Sequence, residues 1–396
     1  MSLLPRRTVL RAAAMLAGVV LLPARAVPTT QRKAIALVFL PGGFGALHAT
    51  PDTLGGAFGT TPDSMLPTGT GLFVDKHTFG TFSSEVLAHM AVVGVDHGLT
   101  AHSPAVASMF SGISSYPLTL AAAMSSDAAL RCALFGTMPS AATFSPVPGA
   151  SLSQVRDVRA ALDVMVGSSR PGEPPRDAMA RGLRLSYALS KPVLERNPRT
   201  LASQASGYDT IIGALERPVR PLDWPSLASS YGLDPSATEV TSNTSRFAAA
   251  ELAIRGGTPV VLIPQGATQV CGEAGWDTHG DTSGQCVRGM FASQISTPLS
   301  LFLSRTMAMR DVDVTTVVFG EFARDPYLSD HARCLAAAVF GPTVKPGSTG
   351  RAFVREGKLF MPEGTPGIKQ FWALLAQLGG AARSPFGDNP HSALVG

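Results

Sequence analysis

The chain has 396 residues, of which 45% are hydrophobic and 15% charged, with a formal net charge of +4. That much apolar material suits a large buried core rather than a disordered chain, and no internal repeat is evident. The excess charge is local: residues 1–26 hold Arg6, Arg7, Arg11 and Arg25 and no acid, so the remainder is formally neutral and carries no basic stripe to track a nucleic-acid backbone.

Those first 26 residues combine a charged start, an apolar middle and the small-residue end Ala24-Arg25-Ala26, the form of a cleaved targeting segment. Arg6-Arg7 before Thr8-Val9-Leu10 has the arrangement of a twin-arginine export signal, which predicts a periplasmic or extracellular protein. The apolar run from Ala12 to Leu22 is too short for a spanning helix, which needs ~20 residues, so no transmembrane anchor is expected in the mature form. Residues 27–396 read as one large α/β domain with insertions, since no linker marks a composition shift.

Taken in order, Ala34 to Leu40 is a continuous apolar run suited to a central strand buried on both faces. Pro41-Gly42-Gly43-Phe44-Gly45 follows as a tight turn, or as a place where a ligand approaches the backbone. The Gly-, Pro- and Thr-rich stretch from Thr50 to Gly80 lacks a period and reads as a surface excursion. Phe82, Val86 and Met90 have helical spacing, and Ala91 to Val95 reads as a short strand. Pro104 can open a helix and Gly112 close it. Thr100, His102 and Ser103 then fall at the helix N-terminus, where an anion is favoured, or Ser103 serves only as its cap.

Ser151 to Thr241 is mostly helical in pattern and clusters no titratable groups. Phe247 to Arg255 reads as an Ala-rich helix, Pro259 to Pro264 as a strand, Gln285 to Arg310 as a crossover helix bent at Pro298, and Thr315 to Phe319 as the next strand. Between that first strand and the crossover helix lies Cys271 to Cys286, a loop carrying Asp277 and His279. Strand, loop, helix and strand in this order put both residues beyond the carboxyl end of a parallel strand, where open α/β sheets hold ligands. After the second strand come Glu321, Arg324 and the pair Asp330-His331. Two acid and imidazole pairs at neighbouring strand ends could surround a metal ion or an anion.

Four cysteines allow three complete pairings. An exported chain permits oxidation, and a Cys271–Cys286 bond would pin the loop with about 3 kcal/mol of loop-closure stabilisation. Four free, buried thiols are the alternative. Ala336 to Phe340, a Gly-rich hairpin-like segment to Lys358 and a helix from Lys369 to Leu378 complete the chain.

The leader, the glycine turn after the first strand, Gly275-Trp276-Asp277-Thr278-His279, Gly320-Glu321-Phe322-Ala323-Arg324 and Asp330-His331 together resemble the bacterial exported family called domain of unknown function 1501, related to the sulfatase and alkaline phosphatase superfamily. The resemblance runs nearly end to end. It implies a doubly wound α/β sandwich with a mostly parallel central sheet, helices on both faces and a site at the strand carboxyl ends. It also implies a divalent metal, zinc, manganese or iron, on Asp277, His279, Asp330 and His331, with Glu321 as a further acid. By position His102 stands where the superfamily keeps its nucleophile, with Ser103 as a neighbour that could substitute. Two features depart from the pattern: no acid stands in the turn after the first strand, and Asp-x-His replaces the longer Asp-x-x-x-His spacing. The implied activity is hydrolysis of a phosphate or sulfate ester on a small molecule or an envelope polymer. The alternative is a non-catalytic envelope binding or assembly protein with a degenerate site.

Overall fold

The computed structural model describes residues 31–44, 47–112, 114–162, 164–165, 176–195, 212, 222–266 and 275–396. The expected leader and Cys271 lie outside the described residues. Arg32–Gly396 form one compact unit, and among the described residues no helix is long and apolar enough to cross a membrane.

The fold is α/β, built on an eight-stranded sheet. Its strands are β1 (Arg32–Phe39), β4 (Met90–Asp96), β5 (Cys132–Leu134), β6 (Leu152–Gln154), β7 (Val260–Pro264), β8 (Val312–Phe319), β9 (Cys334–Phe340) and β10 (Gly347–Ser348), in the spatial order β10-β4-β9-β8-β1-β7-β5-β6; β2 (Met65–Pro67) and β3 (Phe73–Asp75) form a separate two-stranded ribbon. β1 pairs in parallel with β7 on one side and β8 on the other. β9 alone of the eight runs against the rest, antiparallel to both β4 and β8.

Why β1 is central can be read from its side chains, which alternate across the pleat. Ala34, Ala36, Val38 and Leu40 enter one apolar layer, and Ile35, Leu37 and Phe39 enter the other. Helices cover both layers: α1 (His102–Phe110), α2 (Tyr116–Ala123) and α6 (Ile368–Leu378) pack on the second, α3 (Asn243–Arg255), α4 (Gln285–Gln294) and α5 (Ser296–Met307) on the first. Each large apolar side chain buried this way contributes about 1.5–3 kcal/mol. Truncating fully buried Leu37 to Ala would cost about 2–5 kcal/mol.

Three expectations are corrected. The stretch from Thr50 to Gly80 is no surface excursion, because Leu54, Phe58, Leu72, Val74 and Phe79 are buried in the first layer. Its short 3₁₀ turns and two-stranded ribbon leave no sustained period to detect. Buried Asp75 ties it down through Arg288 at 2.8 Å, and Arg288 also donates to the Phe58 carbonyl. The crossover is two helices that break at Ile295, before Pro298. In a continuous helix Pro298 would clash with the carbonyl of Gln294, whereas in a new first turn its missing N–H costs nothing. From Phe82 to Met90 only Ser84–Leu87 is helical, and Met90 already pairs with Phe340 in the sheet.

β1, β7 and β8 all end at one edge, with Phe39 opposite both Pro264 and Phe319. β4 ends there too, and because β9 is reversed its beginning lies there: Asp96 pairs with Cys334. That reversal delivers Asp330-His331, just ahead of β9, to the same edge as Asp277 and Glu321.

Candidate metal centre

Five segments meet at this edge. The turn after β1 is held by backbone contacts that only glycine permits. Gly42 has φ of +119°, and a Cβ there would overlap the Asp277 amide nitrogen; at Gly43, φ +92°, it would lie 2.7 Å from Arg324 Nε. The group approaching Gly42 is the chain's own site loop, whereas Gly43 is met by the side chains of Arg324 and Phe322. Trp276, fully buried, anchors that loop through its amide to the Pro41 carbonyl and its indole N–H to the Gln265 carbonyl, both at 3.0 Å.

Asp277 is thereby set between three cationic or polarisable groups. Its Oδ1 faces Arg324 Nη2 at 2.5 Å and the His279 ring, and its Oδ2 faces His102 Nε2 at 3.1 Å. Burial alone would push this carboxyl up, but the charges of Arg324, His279 and His102 outweigh it and hold Asp277 below its ordinary value. Arg324 is 3% exposed and also donates to the carbonyls of Gly42 and Ser329.

Glu321, expected as a further ligand, faces inward. Its two oxygens accept from the Gly42 amide at 3.0 and 3.1 Å, and Oε1 lies 2.5 Å from His102 Nδ1. Bonding to Glu321 raises the His102 pKa against the opposing pull of burial. His102 thus stands between two carboxylates, and it offers a ligand atom to the same group as Asp277 and His331.

His331 is held by the carbonyl of Thr100, to which its Nδ1 donates at 2.6 Å, while its Nε2 is buried with no hydrogen-bond partner among the described residues. Its ring centre lies 4.4 Å from that of His102 and 4.6 Å from that of His279. Ligand atoms of His102, Asp277 and His331 fall within 4.8 Å of one another, and so do those of His279, Asp330 and His331. Asp330 is exposed; it lies 3.8 Å from His279 Nε2 and accepts from the His331 amide. The structure therefore brings Asp277, His279, Asp330, His331, Glu321 and His102 to one place.

Ser103 is not the helix cap, because α1 begins at His102 and its cap position is Ala101, which makes no side-chain cap bond. Ser103 is exposed and lines a cavity of about 340 Å³ with His102 and Asp277. Two partners had no local signal in the sequence: the Thr100 carbonyl and the Gly42 amide are ordinary backbone groups, made functional by contacts across 231 and 279 residues. Of the cysteines, Cys132 and Cys334 are buried free thiols and Cys286 is disulfide-bonded; its expected partner Cys271 lies outside the described residues. No protein-family model matches this chain, and no curated protein matches it.

Proposed function

We propose that this chain is an exported, metal-dependent hydrolase of phosphate or sulfate esters, of the alkaline phosphatase and sulfatase kind that its motifs resemble. The observation that carries the reading is His331, whose Nδ1 donates to a backbone carbonyl while its buried Nε2 has no partner among the described residues. An imidazole oriented through one nitrogen with a bare lone pair on the other is the usual condition of a metal ligand. Carboxylates with imidazoles suit zinc, manganese or iron. His331, His102 and Asp277 would hold the ion, with His279 and Asp330 beside them.

When bound, such an ion supplies a Lewis acid for an ester oxygen. The chain's own residues position the rest. Arg324 keeps Asp277 ionised, and Glu321 and Thr100 hold the rings of His102 and His331. The first turn of α1, where Pro104 lacks an N–H, presents the amides of His102 and Ser103 toward an anion. Both candidate ligand groups draw on His331, whose single free lone pair serves one ion, so one ion per chain and slow hydrolysis are expected.

A non-catalytic envelope protein is the second reading, favoured by the mutual pairing of Asp277 with Arg324 and by the lack of an acid in the glycine turn. Assay of the purified exported form against aryl phosphates and sulfates, before and after chelation, separates the two. Turnover that stops on chelation and returns with added ion supports the hydrolase. Bound ion without turnover of any ester supports the second reading.

A further inference from the structure

The ligand cluster lies between two cavities that share none of their described lining residues. One, of about 340 Å³, is bounded by His102, Asp277 and Glu321 on the cluster side and by Val106, Pro139 and Ala141 elsewhere. The other, of about 780 Å³, begins at Thr100, Asp330 and His331 and reaches Asp325, Arg333 and Lys358. His102 belongs to the first and His331 to the second, and their rings are 4.4 Å apart. A group seated at the cluster thus has open volume on two sides. An ester with a single substituent would fill one cavity and leave the other to water.

Charge selects in the same direction. Among the described residues that line the smaller cavity there is no Lys or Arg. Arg324, the cation at the cluster, is buried and committed to Asp277 and to the carbonyls of Gly42 and Ser329. Asp277, Glu321 and Asp330 already bring negative charge. A phosphate monoester carries about −1.5 to −2 near neutral pH, whereas a diester carries a single charge.

Resting on the reading proposed above, we infer that the substrate is a phosphodiester, with its monoanionic phosphate at the ligand cluster, a compact apolar substituent in the smaller cavity and a polar one in the larger. In its hydrolysis the water oxygen bonds to phosphorus and the bond from phosphorus to one ester oxygen breaks with its electron pair. One water proton ends on the departing alcohol, and the other is carried by the new monoester or released to solvent. The product is more negative than the substrate, so the acids around the cluster that disfavour a monoester also favour its release.

The test uses the full mature chain loaded with its ion. Titration calorimetry compares dibenzyl phosphate with benzyl phosphate, and turnover compares bis(4-nitrophenyl) phosphate with 4-nitrophenyl phosphate and 4-nitrophenyl sulfate. The expected result is diester binding at least tenfold tighter than monoester binding, an advantage lost in Ala141→Trp, which fills the smaller cavity while leaving every ligand residue unsubstituted. Equal or tighter monoester binding overturns the inference, and the wild-type ratio decides this whether or not the variant folds. A diester preference that survives in folded Ala141→Trp also overturns it. So does 4-nitrophenyl sulfate turning over as fast as the diester, since it is equally monoanionic but has one arm. If ion is retained while monoesters are preferred, only the inference fails; if the chain takes up no ion, the reading beneath it fails as well.

Discussion

His331 donates its Nδ1 proton to the carbonyl oxygen of Thr100 across 2.6 Å, joining the residues that precede β9 to those that precede α1. A carbonyl can only accept, so the proton is fixed on Nδ1 and the lone pair on Nε2 is left toward the cluster. Burial also holds this imidazole below its ordinary pKa, which keeps it in the neutral form that ligates metals. The tautomer is thus set by a backbone group 231 residues away.

Glu321 should act on the ion through His102. Replacing it with Ala leaves the buried Gly42 amide unpaired, at about 1–3 kcal/mol, and frees the His102 ring, at about 10–100-fold in ion affinity. Glu321→Gln retains an acceptor for Gly42 and should recover most of the stability while remaining weak for the ion. Urea unfolding and ion titration measure the two losses separately, and equal recovery of both in Glu321→Gln would refute the assignment.

Gly42→Ala should damage the site through contact as well as through backbone strain. At Gly42 a Cβ would strike the Asp277 backbone, whereas at Gly98, with φ of +72°, a Cβ would meet nothing within 4 Å. Gly98→Ala therefore reports the strain of a left-handed residue alone, about 1–2 kcal/mol. Thermal unfolding should show the larger loss at Gly42, and equal losses would show that the site loop yields to the added methyl.

His391 is fully buried, its Nδ1 meets Thr349 Oγ1 at 2.7 Å, and its Nε2 has no partner among the described residues. Burial lowers its pKa from 6.5 to about 4. Between those values the unfolded chain binds the proton and the folded chain does not. Stability contributed by the neutral ring is therefore present above pH 6.5 and lost as pH falls toward 4, with a slope approaching about 1.4 kcal/mol per pH unit. Buried His48, also depressed chiefly by burial, adds loss of the same sign. Unfolding measured from pH 7 to 4.5 should show a shallower decline in His391→Gln, and parallel curves would count against the assignment.

Cys286 should be found joined to Cys271 in the purified chain, since Cys132 and Cys334 are free thiols buried within the fold. Peptide mapping without reduction reads the pairing. A bond from Cys286 to either of the buried pair would contradict the expectation.

Much of the frame was legible because it is local. The apolar run at β1 and the strand, loop, helix and strand around Asp277 are patterns of neighbouring residues, and they placed Asp277, His279 and Glu321 at one sheet edge. The direction of β9 was not legible, since it depends on pairing with β4 and β8 rather than on its own alternation. The buried path of Thr50 to Gly80 was hidden for a related reason: irregular turns bury Phe58 and Phe79 without any period. The roles of Glu321 and His102 could not be separated in the sequence, because both follow from where Gly42 and Asp277 sit in three dimensions.

The central claim is that His331, His102 and Asp277 hold one divalent ion. Elemental analysis of the purified chain and of His331→Ala, after dialysis against metal-free buffer, tests it most directly. The account predicts close to one zinc, manganese or iron per wild-type chain and none in folded His331→Ala. An ion content unchanged by His331→Ala, or a wild-type chain that retains no ion after loading, would contradict it.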